Sequence, residues 1–342
     1  MKIIQIGSGG WGKSWLKIIH ETEGCELVGL VSQGGANLQE AKSSWSIEDN
    51  RCFTNLDEAL DREADLVVVS VPHHLHIEYA KRAMGAGKNV LIEKPLSDEF
   101  AQAKQFAQYA EGRTERAWVS QNFRNRSALW NMRASLTEQG AGNPLWVHVQ
   151  FRQGDNTKVP RPWRREGWRR DQWSFLMNEI IIHHFDMLRF LLDDEPQTVQ
   201  AQGWNPPWCL SSGPEVLSAQ IEFRNGVHVD YSGTTEGLGM QTGWQGHWFV
   251  QTDRASLRWE GDELSMDPAR DENPKIVEAA DFPGFDRNGI LTALSKGVKG
   301  APCAVPTVSD NLLSFAFAHA AELSVREHRA VTISEIVDWE SS

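Results

Sequence analysis

The chain lacks the features typical of membrane, disulfide-rich and nucleic-acid-binding proteins. No apolar run among its 342 residues approaches the roughly 18 residues that a membrane-spanning helix needs. Its four cysteines are scattered without paired spacing, which indicates neither a zinc site nor a disulfide framework. A net charge of -12 argues against general binding to nucleic acid. The sequence opens on a predicted strand with no room for a signal peptide, so we expect a cytoplasmic protein.

A glycine-rich turn follows the first predicted strand, Lys2 to Ile6, and leads into a predicted helix. The turn reads Gly7-Ser8-Gly9-Gly10-Trp11-Gly12, a Gly-x-Gly-x-x-Gly pattern between strand and helix, which is typical of dinucleotide binding. In that pattern the first glycine permits the turn, the second lets a pyrophosphate approach, and the third allows helix and strand to pack. The residues predicted here to bind the cofactor are Gly7, Gly9, Gly10, Trp11 and Gly12.

The second predicted strand ends without the acidic residue that usually binds the ribose of NAD. Its end reads Val31-Ser32-Gln33-Gly34-Gly35, and no arginine follows to bind the 2′-phosphate of NADP. Ser32 and Gln33 can donate hydrogen bonds to hydroxyls or to a phosphate. The choice between NAD and NADP therefore stays open, with a slight preference for NADP.

Strands and helices alternate from residue 2 to about residue 122, which predicts a doubly wound parallel sheet. The buried strand Leu66 to Val71 leads to Pro72, and the strand Asn89 to Ile92 leads to Glu93-Lys94-Pro95. Ligands bind at the carboxyl ends of such strands. We predict an α/β fold with an N-terminal Rossmann domain over residues 1–122.

The second half of the chain, residues 123–342, predicts an α+β domain for substrate binding and oligomerisation. Several strands after residue 145 alternate with period two, which predicts a large, open and mostly antiparallel sheet with one face covered by helices. Two closing helices are predicted, and we expect the second, 310–326, to pack back on the first domain.

One predicted helix in this half carries a line of titratable side chains. At 100° per residue, Glu179, His183 and Asp186 share one face, while His184 lies well round the helix. A satisfied internal histidine–carboxylate pair is the plainer interpretation. A zinc site is the other alternative, but no third ligand is fixed by the sequence and we predict no metal. The Arg-rich stretch 161–170 precedes this helix, and from it Trp163 and Arg164 are candidates for binding substrate, an anionic one in particular.

Together these residues resemble the glucose-fructose oxidoreductase, inositol dehydrogenase and MocA (Gfo/Idh/MocA) family. The resemblance rests on the glycine turn, on Val71-Pro72-x-x-x-His76, on the run ending Glu93-Lys94-Pro95, and on the helix from Glu179. It implies an NAD(P)-dependent oxidoreductase of sugars, polyols or inositols, assembled as a homodimer or homotetramer. It also implies cofactor contacts by Pro72, His76, Glu93 and Lys94.

In the family, a lysine and a histidine flank the reacting carbon, and an aspartate precedes the histidine by four residues. Lys94 and His183 match these positions, whereas Glu179 replaces the aspartate. We expect His183 to act as general base, Glu179 to orient it, Lys94 to stabilise charge on the reacting oxygen, and Asp186 to bind a second hydroxyl. Two alternatives remain: a glycoside-cleaving enzyme that uses tightly bound NAD transiently, and a non-catalytic sugar-responsive regulator.

Overall fold

The computed structural model describes residues 1–138, 140–154, 171–269 and 275–337. By contacts the chain divides into two units. The first comprises Met1–Asn125 and Pro283–Leu312, and the second comprises Arg126–Phe282 and Leu313–Ser342. The grouping of a segment near residue 300 with the first unit was not predicted from the sequence. The predicted domain limits, and the packing predicted for helix 310–326, stay predictions.

The first unit is built on a six-stranded parallel sheet with the strand order β3-β2-β1-β4-β5-β6. Its strands are β1 Lys2–Ile6, β2 Glu26–Val31, β3 Cys52–Phe53, β4 Leu66–Val69, β5 Asn89–Glu93 and β6 Ala117–Ser120. The connecting helices are α1 Gly10–Glu21, α2 Ala36–Trp45, α3 Leu56–Leu60, α4 His76–Gly85 and α5 Phe100–Ala110. This arrangement confirms the predicted doubly wound fold.

Burial explains why these apolar runs form central strands. All four residues of β4 are fully buried, as expected for a strand covered on both faces by helices. Three of the four are valines, whose β-branched side chains favour the extended backbone. The strand order turns about β1 and β4, and the carboxyl ends of these two strands are where a doubly wound fold binds its ligand.

The segment 283–312 completes the core of the first unit. Its helix α8, Asp286–Gly297, contributes Ile290 and Leu294 to a buried cluster that also contains Trp15 of α1. Farther along, Trp118 of β6 forms a bridge with Thr307. The side chains of the cluster are apolar and buried, so the segment is part of this unit's hydrophobic core.

In the second unit, the residues that the structure describes form an eight-stranded sheet with the order β13-β12-β11-β7-β10-β9-β8-β14. Its strands are β7 Pro144–Arg152, β8 Pro196–Trp204, β9 Val216–Phe223, β10 His228–Thr234, β11 His247–Thr252, β12 Ala255–Glu260, β13 Glu263–Pro268 and β14 Val331–Thr332. Among the described strands of this sheet only β7 and β10 pair in parallel, so the prediction of a mostly antiparallel sheet is confirmed. The edge strands β13 and β14 were not predicted.

Helices of the second unit include α6 Ser127–Thr137 and α7 Ile182–Leu192. The long helix α9, Val308–Glu327, begins in the first unit and continues in the second from Leu313. In the parts of the chain that the structure describes, no helix combines the length and the apolar character needed to span a membrane.

Candidate functional site

The four glycines of the turn after β1 divide into two that are packed and two that face open space. A Cβ atom at Gly7 would lie 2.5 Å from the carbonyl oxygen of Ser70, and one at Gly12 would lie 2.3 Å from that of Gly7. A Cβ atom at Gly9 or Gly10 would meet nothing within 4 Å. The first pair is thus required for packing, and the second pair leaves room for a ligand against the backbone.

Helix α1 begins at Gly10, inside the glycine turn, whereas the sequence predicted a helix only after that turn. Gly9 is its N-cap residue, no side chain caps it, and its first turn has no acidic residue. The backbone N–H of Lys13 donates to the Gly9 carbonyl at 2.8 Å, so the helical bonding starts there and the preceding amides have no intrahelical acceptor. Uncapped amides and the positive end of the helix dipole suit an anion such as a pyrophosphate.

The end of β2 lies against the same turn. The N–H of Gly7 donates to the Val31 carbonyl at 2.9 Å, and the hydroxyls of Ser8 and Ser32 lie 2.6 Å apart in a buried pair. The hydroxyl of Ser32 is therefore hydrogen-bonded to that of Ser8, whereas the side chain of Gln33 is exposed. Of the two predicted ribose-binding residues, Gln33 is the one that faces solvent.

The Glu-Lys-Pro triplet follows the sheet at the end of β5. Glu93 and Lys94 are 9% and 8% exposed. The indole Nε1 of Trp15 donates to Glu93 Oε1 at 2.6 Å, and the N–H of Lys94 approaches Glu93 Oε2 at 3.1 Å. One carboxylate thus joins the helix of the glycine turn to the backbone that carries Lys94.

His76 connects two loops rather than presenting a free ring. Its Nδ1 lies 2.9 Å from the Pro95 carbonyl oxygen and its Nε2 lies 2.9 Å from that of Val71. Burial lowers the pKa of His76 to about 4, so the ring is neutral and donates from one nitrogen. With both nitrogens facing the backbone, His76 fixes the loop after Lys94, and its predicted contact with the cofactor stays a prediction. Pro72 precedes the short 3₁₀ turn His73–Leu75.

In the second unit, the predicted helix from Glu179 is not α-helical throughout. A π-helical turn covers Met177–Ile181, and α7 starts at Ile182. The expected spacing of 100° per residue is therefore wrong at Glu179, because a π turn holds more residues than an α turn. Glu179 and His183 are 7% and 4% exposed, so both titratable groups are buried. Single π turns occur frequently at functional sites.

Asp186 is fully buried and belongs to an internal network. Ser314 Oγ donates to Asp186 Oδ1 at 2.7 Å, and Arg189 Nη1 donates to Ser314 Oγ at 2.6 Å. The other nitrogens of Arg189 donate to both oxygens of Glu195 at 2.5 and 2.6 Å. These contacts are those of a structural carboxylate, and the predicted binding of a substrate hydroxyl by Asp186 stays untested.

Both ring nitrogens of His184, the neighbour of His183, are hydrogen-bonded within the second unit. Its Nε2 lies 2.8 Å from the Trp244 carbonyl, so this nitrogen carries the proton and donates. Its Nδ1 is then an acceptor, and it receives the hydroxyl of Tyr231 at 2.8 Å. Burial lowers the pKa of His184 to about 4. A neutral ring satisfied at both nitrogens attaches α7 to the sheet.

The structure thus collects the predicted cofactor residues at one end of the first sheet, while Glu179, His183 and Asp186 lie in the second unit. Trp163 and Arg164 lie outside the described residues. Among the residues that are described, no three His, Cys, Asp or Glu side chains are grouped to hold a metal ion. Sequence reasoning missed Ser8 and Trp15, since hydroxyl and indole partners far apart in sequence leave no local pattern.

Comparison with known proteins identifies the architecture. Residues 1–121 match the model of the oxidoreductase family with an NAD-binding Rossmann fold, and residues 130–257 match the GFO/IDH/MocA C-terminal domain. The chain belongs to the Gfo/Idh/MocA family. Its first unit is an NAD-binding Rossmann domain, which agrees with the uncapped α1 terminus and the open space at Gly9 and Gly10.

Individual relatives in the Gfo/Idh/MocA family are distant. Glucose-6-phosphate 3-dehydrogenase of Bacillus subtilis is 29% identical over 57% of this chain and 54% of its own. Inositol 2-dehydrogenase of Acidiphilium cryptum is 28% identical over 67% of this chain and 66% of its own. The matches thus span less than two thirds of these relatives. A crystal structure of an Agrobacterium radiobacter oxidoreductase with NAD+, L-tartaric acid and magnesium has a TM-score of 0.82 over 98% of this chain and 99% of its own, at 20% identity.

Proposed function

We propose that this protein is an NAD(P)-dependent dehydrogenase or reductase of a sugar, polyol or inositol-like substrate. It transfers a hydride between the nicotinamide of the cofactor and a secondary alcohol or ketone carbon. The names of the two dehydrogenases above support this substrate class. The observation that carries the proposal is the buried Lys94, fixed through Glu93 and Trp15 to the helix of the glycine turn.

The residues of the chain supply proton transfer and charge stabilisation. When bound, the nicotinamide ring accepts or donates the hydride. In the oxidising direction a ring nitrogen of His183 takes the proton of the substrate hydroxyl, because imidazole titrates near neutral pH. The ammonium of Lys94 donates a hydrogen bond to the reacting oxygen and stabilises its developing negative charge. Glu179 orients the ring of His183, and the buried surroundings strengthen each of these interactions.

For the cofactor we propose that NADP is accepted at least as well as NAD. The buried pair of Ser8 and Ser32 occupies the end of β2, where an acidic residue would select the free ribose hydroxyls of NAD. Without that negative charge a 2′-phosphate is not repelled. Gln33 is exposed, and its amide can donate a hydrogen bond to such a phosphate.

The test is a screen of sugars, polyols and inositols with NAD+ and NADP+ side by side, in which formation of NAD(P)H is measured. Lys94→Ala and His183→Ala should each reduce kcat/KM by about 100-fold or more, as expected when a general base or a charge-stabilising donor is removed. Lys88→Ala is the matched control, since its ammonium donates to the Arg62 carbonyl at the surface. We expect Lys88→Ala to keep the activity of the unmodified protein.

Two results would contradict the proposal. If glycosides are cleaved without net formation of NAD(P)H, the cofactor is used transiently and the glycoside-cleaving alternative holds. If Lys94→Ala and His183→Ala both keep nearly full activity, the assigned residues do not carry the reaction.

We also propose that the protein assembles as a homodimer or homotetramer through the face of the eight-stranded sheet that carries Trp146. Trp146 of β7 is 42% exposed there and contacts Phe249 of β11 edge to face, with ring centroids 6.0 Å apart. Large exposed aromatic side chains are enriched at protein interfaces. Analytical ultracentrifugation of Trp146→Glu should show a shift toward the monomer, and an unchanged mass would place the interface elsewhere.

A further inference from the structure

The guanidinium of Arg287 lies beside the helix that starts at the glycine turn. Arg287 is the second residue of α8, in the segment grouped with the first unit. Its central carbon lies 5.1 Å from the centre of the Trp11 ring and 5.5 Å from that of Trp15. Trp11 belongs to the first turn of α1 and is 52% exposed, whereas the Arg287 side chain is 12% exposed. A largely buried cation thus lies against the ring of Trp11, a residue of the first turn of α1.

Two donor nitrogens of this cation have no hydrogen-bond acceptor in the part of the chain that the structure describes. Among the described residues, Nε and Nη1 of Arg287 are buried and donate no hydrogen bond. The carboxylate oxygen Oδ1 of Asp286 is 3.7 Å from Nε, too far for a hydrogen bond, and it already accepts from Asn122 Nδ2 at 2.7 Å. The tryptophan faces attract the charge but offer no acceptor to donors in the guanidinium plane. A buried donor without an acceptor costs about 1–3 kcal/mol, so an acceptor from a ligand would be stabilising here.

The backbone that carries Arg287 is held in a costly conformation. Asp286 has a φ of 50°, in the left-handed region that costs a residue with a side chain about 1–2 kcal/mol. Its N–H donates to the Asn125 carbonyl at 3.1 Å, and Asn125 Nδ2 donates back to the Asp286 carbonyl at 2.8 Å. Such strain persists where neighbouring groups enforce it, and it is concentrated at functional sites.

A close glycine contact fixes the same corner. A Cβ atom on Gly289 would lie 2.1 Å from the Gly284 carbonyl oxygen and 2.8 Å from Asn125 Nδ2. No side chain fits at position 289, so the loop before α8 can lie directly on the helix. The backbone that carries Arg287 is therefore fixed by several independent contacts.

We propose that Arg287 binds the pyrophosphate of the dinucleotide cofactor. The inference rests on the proposed function, which requires that cofactor. A guanidinium forms two parallel hydrogen bonds with a phosphate, and the free amides of α1 supply further donors from the backbone. Because the whole protein has a net charge of -12, a local cation is needed to offset the field that a doubly charged pyrophosphate meets.

The test measures binding rather than turnover. Dissociation constants for NADH, ADP-ribose and adenosine are determined by isothermal titration calorimetry for the unmodified protein and for Arg287→Gln, Arg287→Lys and Arg113→Gln. Arg113 is the matched control, since its guanidinium lies 4.8 Å from the ring of Tyr109, on α5. Circular dichroism verifies that each variant is folded. If Arg287→Gln does not fold, the test uses Arg287→Lys, which keeps the charge over the tryptophans.

We expect Arg287→Gln to raise the dissociation constants of NADH and ADP-ribose by about 10- to 100-fold, as for the loss of a charged hydrogen bond. Arg287→Lys should lose less affinity for both ligands, because lysine keeps the charge but lacks the paired donors. Adenosine has no phosphate, and its affinity should not change. Arg113→Gln should match the unmodified protein with all three ligands.

Equal affinity of Arg287→Gln and the unmodified protein for NADH would overturn the assignment. An equal loss for adenosine would also overturn it, since Arg287 would then contact the base or support the fold. If the unmodified protein binds neither NADH nor ADP-ribose, the proposed cofactor use itself fails, which is a separate result.

Discussion

At the scale of single residues, Gly12 and Gly9 of the glycine turn have different roles: Gly12 allows close packing, and Gly9 leaves room for a ligand. Gly12→Ala places a methyl group 2.3 Å from the Gly7 carbonyl oxygen, so α1 must move and we expect the first unit to lose about 2 kcal/mol or more. Gly9→Ala meets open space and should keep the stability of the unmodified protein. Its methyl group would occupy the path of the pyrophosphate, so NADH affinity should fall by about tenfold or more.

Urea unfolding and NADH titration of both variants check this separation. If Gly9→Ala keeps full NADH affinity, the cofactor does not approach the backbone there. If Gly12→Ala is as stable as the unmodified protein, the described contact between Gly12 and Gly7 is wrong.

Two substitutions of Asp186 distinguish a structural role for this carboxylate from substrate binding. Asp186→Ala removes the acceptor of the Ser314 hydroxyl, and a buried donor left without a partner costs about 1–3 kcal/mol. Asp186→Asn keeps an acceptor oxygen, so it should recover part of that stability and leave KM unchanged. A raised KM with unchanged thermal stability in Asp186→Asn would instead support contact with a substrate hydroxyl.

At the scale of elements, α7 is attached to the sheet by a histidine that must stay neutral. The pKa of His184 is lowered from 6.5 to about 4 by burial, so the unfolded chain binds a proton that the folded chain does not. Stability is therefore lost as the pH falls from about 6.5 toward 4. At pH 5 the loss is about 2 kcal/mol from this group.

Urea unfolding at pH 7 and pH 5 measures that loss. His184→Gln cannot take up the proton, so its decrease in unfolding free energy between the two pH values should be smaller by about 2 kcal/mol. His228→Gln, at an exposed position on β10, is the control and should keep the decrease of the unmodified protein. An identical decrease in His184→Gln and the unmodified protein would contradict the buried neutral ring.

The elements also show what the sequence could and could not predict. The glycine turn and the buried run of β4 were predicted correctly because their signals are local. The π turn before α7 was not predicted, since the apolar pattern of Ile180, Ile181 and Ile182 fits an α-helix equally well. The edge strand β13 is half exposed and alternates weakly, so its residues carry little pattern. Arg287 was missed because its contacts with Trp11 join residues far apart in the chain.

At the scale of the whole molecule, the chain enters and leaves the first unit more than once. Val305 and the α8 residues Ile290, Leu291 and Leu294 fill the same buried cluster as Ile3 and Trp15. A fragment of residues 1–125 leaves that apolar surface exposed. We expect it to aggregate or to unfold well below the temperature of the whole protein, since each buried Leu or Ile side chain contributes about 1.5–3 kcal/mol.

Joining residues 283–312 to this fragment by a flexible linker should restore a cooperative unfolding transition in calorimetry. The same fusion with Leu291→Asp is the control and should not restore it, because a carboxylate would enter the fully buried cluster. A cooperative transition in the fragment 1–125 alone would show that the later segment is dispensable.

The return of the chain to its first unit also has a consequence for protein synthesis. Residues 283–312 leave the ribosome only after the strands β7 to β13 have been made. The nucleotide-binding half, although encoded first, is therefore completed late, and its unfinished apolar surface must be protected while the sheet of the other half grows. For the same reason, recombination that exchanges only the first 125 residues between related genes would separate this core from the helix that closes it.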